Sequence, residues 1–270
     1  MAKTPKKAEK SGPRVLLYDL ETAPLLSYVW SRWSEGVCSV EQEWYILCAT
    51  YKWLGESKVH YVGQDDFPKA FKKDPCDDSH VVKKLHSLFD EADIIIAHNG
   101  DKFDRRKANT RFLQYGMSPP SPYQTVDTLK VARFNFAFSS NRLDDLGAQL
   151  GLGRKTKHPG FQMWQGCMSG EEKWWNLMRK YAKQDVALLE RVYYALLPWM
   201  DKHPNLTTFD SGIGCPKCGA PREMMHSRGT RILRTGTYRR YQCTNCGGWA
   251  KSRMQLKKDD NNRVIPEIVN

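Results

Sequence analysis

Residues 15–22, VLLYDLET, are apolar at Val15, Leu16, Leu17 and Leu20 and then carry two acids, Asp19 and Glu21. The run predicts a buried strand. Alternate strand residues share a face, so both acids project with Val15 and Leu17. EWYILCATYKWLG and SKVHYVG follow as β-rich runs around a Gly-containing turn, the pattern of a hairpin. DSHVVKKLHSLFDEA puts Val81, Leu85 and Leu88 on one helical stripe, with Asp78 or Ser79 as its cap. DIIIAHNG is a short apolar strand ending in Gly, and FDRRKANTRFLQYG a helix closed by Gly116. TVDTLKVAR predicts a strand running into a helix, NRLDDLGAQLGLG a short helix, and Glu171 to Met200 one long helix stopped near Pro204. A hairpin followed by strands alternating with helices predicts a mixed α/β sheet flanked by helices.

The long helix has an unusual inward face. Its apolar stripe runs Trp174, Met178, Tyr181, Asp185, Leu189, Val192 and Leu196 in steps of three and four. Asp185 therefore faces the interior one turn from Tyr181, while Arg179 and Lys183 point elsewhere. A buried carboxylate needs a partner, either a distant Arg or Lys or a metal ion. Asp104, directly after the strand DIIIA, falls in the first turn of the next helix, where the helix dipole alone favours an acid and Asp101 can cap. Four acids converging at one end of a sheet would be unstable without cations. Hard oxygen ligands suit Mg²⁺ or Mn²⁺, and a shared carboxylate can hold two such ions for phosphodiester hydrolysis. Tyr181, with an ordinary pKa near 10, suits positioning by hydrogen bond better than proton abstraction.

Charge adds a partner class. The chain carries a net charge of +12, concentrated at its ends: five Lys/Arg against one acid in residues 1–14, and twelve against four in 211–270. The stretch between has 25 of each. Basic ends suit an anionic polymer, with nucleic acid favoured for 211–270 and a merely soluble tail for 1–13. No apolar run is long enough to cross a membrane, and the first residues lack the apolar centre of a signal peptide, so a cytoplasmic setting is expected. The expected organisation is a basic disordered tail (1–13), an α/β domain (14–203), a linker (204–212), a cysteine module (213–255) and a flexible tail (256–270).

Of eight cysteines, Cys38, Cys48, Cys76 and Cys167 are isolated, whereas CPKCG and CTNCGG place Cys215, Cys218, Cys243 and Cys246 as two C-x2-C pairs separated by 24 residues. Such pairs supply four thiolates for one structural Zn²⁺, each turn relieved by Gly. RGTRILRTGTYRRYQC between them predicts a hairpin bearing Arg228, Arg231, Arg234, Arg239 and Arg240, and the module resembles a zinc ribbon. It suits a nucleic-acid backbone, with docking of a replication or repair protein as the rival role.

Asp-Leu-Glu-Thr at 19–22, Asn-x3-Phe-Asp at 99–104 and Tyr-x3-Asp at 181–185 resemble, in order and element type, the three motifs of the DEDD (DnaQ-like) 3′–5′ exonucleases. The resemblance covers roughly residues 13–200. Tyr181 points to the tyrosine subclass, like the proofreading domains of family B DNA polymerases; the histidine subclass would need His where position 180 is Lys. The resemblance implies a ribonuclease-H-like fold, two divalent metals held by Asp19, Glu21, Asp104 and Asp185, and single-stranded DNA or 3′ ends as substrate in replication, repair or recombination. It looks closest to stand-alone exonucleases of bacteria and phages; with no polymerase domain following, proofreading in cis is not expected. Rival readings are a 3′ exoribonuclease, a structure-selective nuclease, and a zinc-ribbon binding protein with an idle nuclease fold. Thr22 and Asn99 are candidate substrate contacts, with Asn99 equally a turn former. Asp127 is read as structural, Leu143 as packing and His158 as a loop residue without a role. Of Trp30, Trp33, Trp44 and Trp53, one or at most two are expected to stack on bases, the rest to fill a core.

Overall fold

The computed structural model describes residues 12–33, 36–209, 212–252, 254–256 and 268–269. The expected basic tail thus lies almost wholly outside the described residues, as does most of the tail after Leu256. Two compact units are formed, one from Arg14 to Tyr193 and the other based on residues 194–270.

In the first unit, β1 (Val15–Thr22) leads through a small two-stranded hairpin, β2 (Leu26–Tyr28) and β3 (Ser39–Gln42), to β4 (Ile46–Trp53) and β5 (His60–Gly63). Helices α1 (Pro68–Lys73) and α2 (Ser79–Glu91) precede β6 (Ile94–Ala97), α3 (Asp104–Gln114), β7 (Gln124–Asp127), α4 (Thr128–Asn135), α5 (Leu143–Gln149), α6 (Phe161–Met168) and α7 (Glu172–Leu196). The sheet order is β5-β4-β1-β6-β7, with β4 antiparallel to both β1 and β5, and β6 parallel to β1 and β7. This is the expected mixed sheet. The excursion β2–β3, the first helix and α6 were not anticipated, because each is too short to show a period.

Both faces of the sheet are covered. Leu16, Tyr18 and Leu20 join Val81, Leu85, Phe89, Ala108 and Phe112 from α2 and α3 in one core cluster. Tyr45, Leu47 and Cys48 join Met163, Cys167, Trp175, Met178 and Tyr181 from α6 and α7 in another. Strand alternation decides what each face receives: Asp19 and Glu21, out of phase with Leu16, Tyr18 and Leu20, turn toward the α7 side.

Asp78 corrects the expectation of a helix cap. It stands at the N-cap position of α2 but makes no capping bond there. Fully buried, it accepts from the Ile46 amide (2.7 Å), from the Tyr115 hydroxyl (2.8 Å) and from two nitrogens of the Arg111 guanidinium, Nε at 2.8 Å. One carboxylate so ties β4 and α3 together ahead of α2. Removing one partner of a buried ion pair strands the other charge, at a cost of about 3–5 kcal/mol. Asp78→Ala is expected to lower the unfolding free energy by that amount in urea denaturation; a loss under about 1 kcal/mol, the range of a surface pair, would contradict this assignment.

Candidate active site and cysteine cluster

The acids gather because β1 outruns its neighbour. The β1–β6 pairing covers only Val15 to Leu17, so the second half of β1 has free backbone groups on that side. After Ala97 the chain turns back sharply. Asn99 takes a left-handed backbone (φ 68°), and a side chain on Gly100 would meet the Ala97 Cβ at 2.4 Å. The turn is braced by Asp127, whose carboxylate accepts from the amides of Asn99 (2.9 Å) and Leu129 (3.0 Å), so the structural reading of Asp127 fits. The turn delivers Asp104, almost fully buried, to the free edge of β1, where its Oδ1 accepts from the Leu20 amide at 3.1 Å. The positive φ of Asn99 matches its turn-forming alternative.

From the α7 side, the inward stripe is buried as predicted at Met178, Tyr181, Asp185, Leu189, Val192 and Leu196. It brings Asp185 against β1: carboxylate oxygens of Asp19, Glu21 and Asp185 all lie within 4.8 Å of one another. Asp185 has the distant partner its burial demands. Lys155, from the loop after α5, donates to its Oδ2 at 2.6 Å and reaches the Tyr181 hydroxyl at 3.4 Å. Arg179 points away, as expected, and pairs with Asp65 and Asp66. One ammonium faces several carboxylates, and Asp185 Oδ1 is buried without a hydrogen-bond partner among the described residues.

The electrostatics follow. Burial, with repulsion from Asp185 and Asp104, pushes the Glu21 carboxyl up to about 8. Burial raises Asp104 to about 7, despite the amide bonds that favour its charged form. Asp19 and Asp185 are also raised by burial; Asp104 and Glu21 add to the effect at Asp19, while Lys155 opposes it at Asp185. Burial would depress Lys155, but Asp185 and Asp19 outweigh it and hold the ammonium charged. Burial and the neighbouring carboxylates drive the Tyr181 phenol further above its usual value, so it remains a donor. The chemistry of the set fits divalent cations: clustered hard oxygens, an excess of negative charge and one unsatisfied buried oxygen.

Beside Glu21 opens a cleft of about 490 Å³, lined by Thr22, Ala23, Pro24, Leu25, Trp44, Lys107, His158 and Trp164 among others. His158 lies in a loop, as expected, with its ring packed on Tyr181 (centroids 4.9 Å apart) and on Trp164 (5.2 Å). The sequence does not single out Lys155, which lies in an irregular loop, or Trp164, which lies in the short helix α6. Lys155 and Asp185 stand thirty residues apart. Among the tryptophans, Trp53 is buried beneath the Arg14 guanidinium and Trp44 is half-buried beneath Lys107 at 3.6 Å, whereas Trp30 and Trp33 are 92% and 86% exposed.

In the second unit, β8 (Met225–Leu233), β9 (Gly236–Cys243), β10 (Trp249–Ser252) and β11 (Ile268–Val269) form one antiparallel sheet. Cys215 and Cys246 stand with sulfurs 3.7 Å apart, as do Cys218 and Cys243, and all four lie within 4.8 Å of one another. A tetrahedron of thiolates at about 2.3 Å from zinc has edges of about 3.8 Å, so the cluster could form a zinc ribbon. The free thiols and their spacing leave no disulfide. The expected linker is not free chain: Leu206 and Thr207 are buried, and the Leu206 amide donates to Pro216 at 2.8 Å. Residues paired across strands share a face. By that register Arg231, opposite Tyr238, shares a face with Arg240, Lys251 and Trp249, with Arg240 over the Trp249 ring at 4.9 Å. Arg239 alternates onto the face of Tyr241 and Cys243 and is half-buried, and Arg234 lies in the turn between the strands. The four arginines do not form one row.

A family model described as RNase_H superfamily matches residues 38–197, more than half the chain, and the chain belongs to that superfamily. The matched span includes Asp104, Tyr181 and Asp185, while Asp19 and Glu21 precede it on the central strand of the same sheet. Among solved structures, the family B DNA polymerase of the hyperthermophilic archaeon Pyrobaculum calidifontis superposes with a TM-score of 0.51 at 16% identity, over 69% of this chain and 25% of the polymerase chain. That likeness shows the fold, and it spans a quarter of the polymerase. No curated protein matches the chain. No helix among the described residues is long and apolar enough to cross a membrane. Superfamily membership together with the acidic cluster supports a nuclease acting on nucleic acid.

Carboxyls raised in the fold bind more protons folded than unfolded, so stability falls as pH rises between their free and folded pKa values. For Glu21 that window runs from 4.5 to about 8. In EDTA, the thermal midpoint is expected to drop across this window more steeply for wild type than for an Asp19→Asn, Glu21→Gln variant. Parallel pH profiles would refute the raised carboxyl pKa values of Asp19 and Glu21.

Proposed function

We propose that this chain is a metal-dependent 3′–5′ exonuclease acting on DNA, with a C-terminal zinc ribbon that holds nucleic acid. The observation that carries the reading is the convergence of Asp19, Glu21 and Asp185, with Asp104 on the adjoining backbone, around one ammonium and one unpartnered buried oxygen. The order and spacing of the three motifs supply the direction of cleavage by their resemblance to the DEDD exonucleases. Two Mg²⁺ or Mn²⁺ ions held by these four acids would activate the attacking water and stabilise the leaving 3′ oxygen.

The protein's own groups have definable tasks. Tyr181, kept protonated, donates a hydrogen bond that orients the water or the scissile phosphate. Lys155 neutralises part of the acidic cluster and holds Asp185 in place. Thr22, at the cleft wall, and Asn99 stand as candidate contacts to the terminal nucleotide. In the ribbon, Cys215, Cys218, Cys243 and Cys246 would hold one Zn²⁺, whose binding supplies folding free energy to a module with a small core. Its face bearing Arg231, Arg240, Lys251, Tyr238 and Trp249 offers cations and stacking surfaces to a strand. A cytoplasmic setting keeps such thiols reduced.

The test uses 5′-labelled single-stranded DNA and RNA with Mg²⁺, Mn²⁺ or EDTA. DNA is expected to shorten stepwise from its 3′ end, with no cleavage in EDTA or in the Asp19→Asn, Glu21→Gln variant. Tyr181→Phe should lower the rate about 10–100-fold, the worth of one hydrogen bond to a charged group. Activity retained in the acid-site variant would sink the reading, and cleavage confined to RNA would replace the substrate.

A further inference from the structure

The two most exposed tryptophans sit on one small element. The hairpin β2–β3 carries Trp30 at 92% and Trp33 at 86% exposure in its connecting loop, with Tyr28 at 62% and Leu26 at 58% on the way to it. Arg32, also exposed, stands between the two indoles in sequence. Exposed aromatic area of this size on one excursion is more than scattered surface hydrophobes require. The hairpin's roots identify what it serves. Leu25, immediately before β2, and Trp44, two residues after β3, both line the cleft beside Glu21. Lys107, one turn along α3 from Asp104, lies over Trp44 in the same cleft. The path from the acids therefore runs along a wall with an ammonium and an indole, and leads at both roots onto the tryptophan hairpin.

We propose that the hairpin is a stacking platform for unpaired bases of the strand whose 3′ end enters the cleft. This rests on the proposed nuclease function. Flat indoles accept any base, which suits a strand that must advance regardless of sequence. The loop's Arg32 and the cleft's Lys107 provide backbone attraction without base discrimination. A protein-docking knob would need the same apolar area but would confer no affinity that grows with the length of a nucleic-acid strand.

The test separates binding from cleavage. Binding of labelled oligothymidylates of three and twelve nucleotides is measured by anisotropy in the full-length Asp19→Asn, Glu21→Gln protein, with and without further changes at positions 30 and 33. Trp30→Ala with Trp33→Ala is expected to weaken binding of the 12-mer about tenfold or more, since stacking contributes about 1–3 kcal/mol per base. The 3-mer, with fewer bases left to stack beyond the cleft, should be affected less than twofold. Phe at both positions should restore most of the affinity and Leu should not, while thermal unfolding stays unchanged, as expected at exposed sites. Unaltered 12-mer binding in the alanine protein, equal loss for both lengths, or equal rescue by Leu and Phe would overturn the platform. Loss of 12-mer binding beside a wild type that cleaves nothing would support the platform while removing the nuclease reading. Normal cleavage beside unaltered 12-mer binding would do the reverse.

Discussion

Mutual repulsion among carboxylates at the end of β1 is the constraint around which the first unit is arranged. Strand alternation sends Asp19 and Glu21 to the α7 side, the helical stripe sends Asp185 to meet them, and a braced turn sets Asp104 on the adjoining backbone. Each choice is unfavourable taken singly, since a buried carboxylate loses hydration. Burial raises the pKa values of all four acids, and repulsion from the neighbouring site carboxylates adds to it at Asp19 and Glu21. Such an arrangement persists only where the rest of the fold is well anchored. The two-sided core around β1 and β4, and the buried Asp78–Arg111 pair that joins β4 to α3, supply that anchoring.

Lys155 shows how the chain offsets the repulsion with its own atoms. Its ammonium satisfies one oxygen of Asp185 and leaves the other bare. Burial is the main reason Glu21 and Asp104 hold their protons so high, with repulsion from Asp185 and Asp104 adding to it at Glu21 and from Asp127 at Asp104. Divalent cations would relieve the excess more completely than another side chain, and the acids' chemistry is suited to them. Burial and the same carboxylates make the Tyr181 phenol a poorer acid and a more dependable donor.

Three of the acids stand out in the sequence because each obeys a local period, whereas Asp104 does not. Positions 19 and 21 follow the two-residue repeat of a strand, and Asp185 the three- and four-residue steps of α7. The sheet was legible for the same reason, as was the cysteine cluster, whose spacing is set within single turns. What escaped has no period. Lys155 belongs to an irregular loop that reaches the acids only through tertiary packing. The helix α6 spans eight residues, fewer than its pattern needs to declare itself. Asp78 looked like a cap because local chemistry favours one, but a guanidinium from another helix won. The arginines of the second unit were grouped by sequence nearness. Counting by twos from Cys243 would have put Arg239 with Tyr241 on the cysteine side, whereas the bulge between Ser227 and Thr230 hides the register of β8 from any such count.

The four acids are proposed to hold divalent cations, with Lys155 neutralising part of their charge through Asp185. Crystals grown with Mn²⁺ and a short 3′-ended oligonucleotide, read by anomalous scattering, test it most directly. Manganese peaks are expected at Asp19, Glu21, Asp104 and Asp185, one of them on the bare Oδ1 of Asp185. Crystals with no manganese at these acids, and Lys155 alone neutralising them, would contradict it.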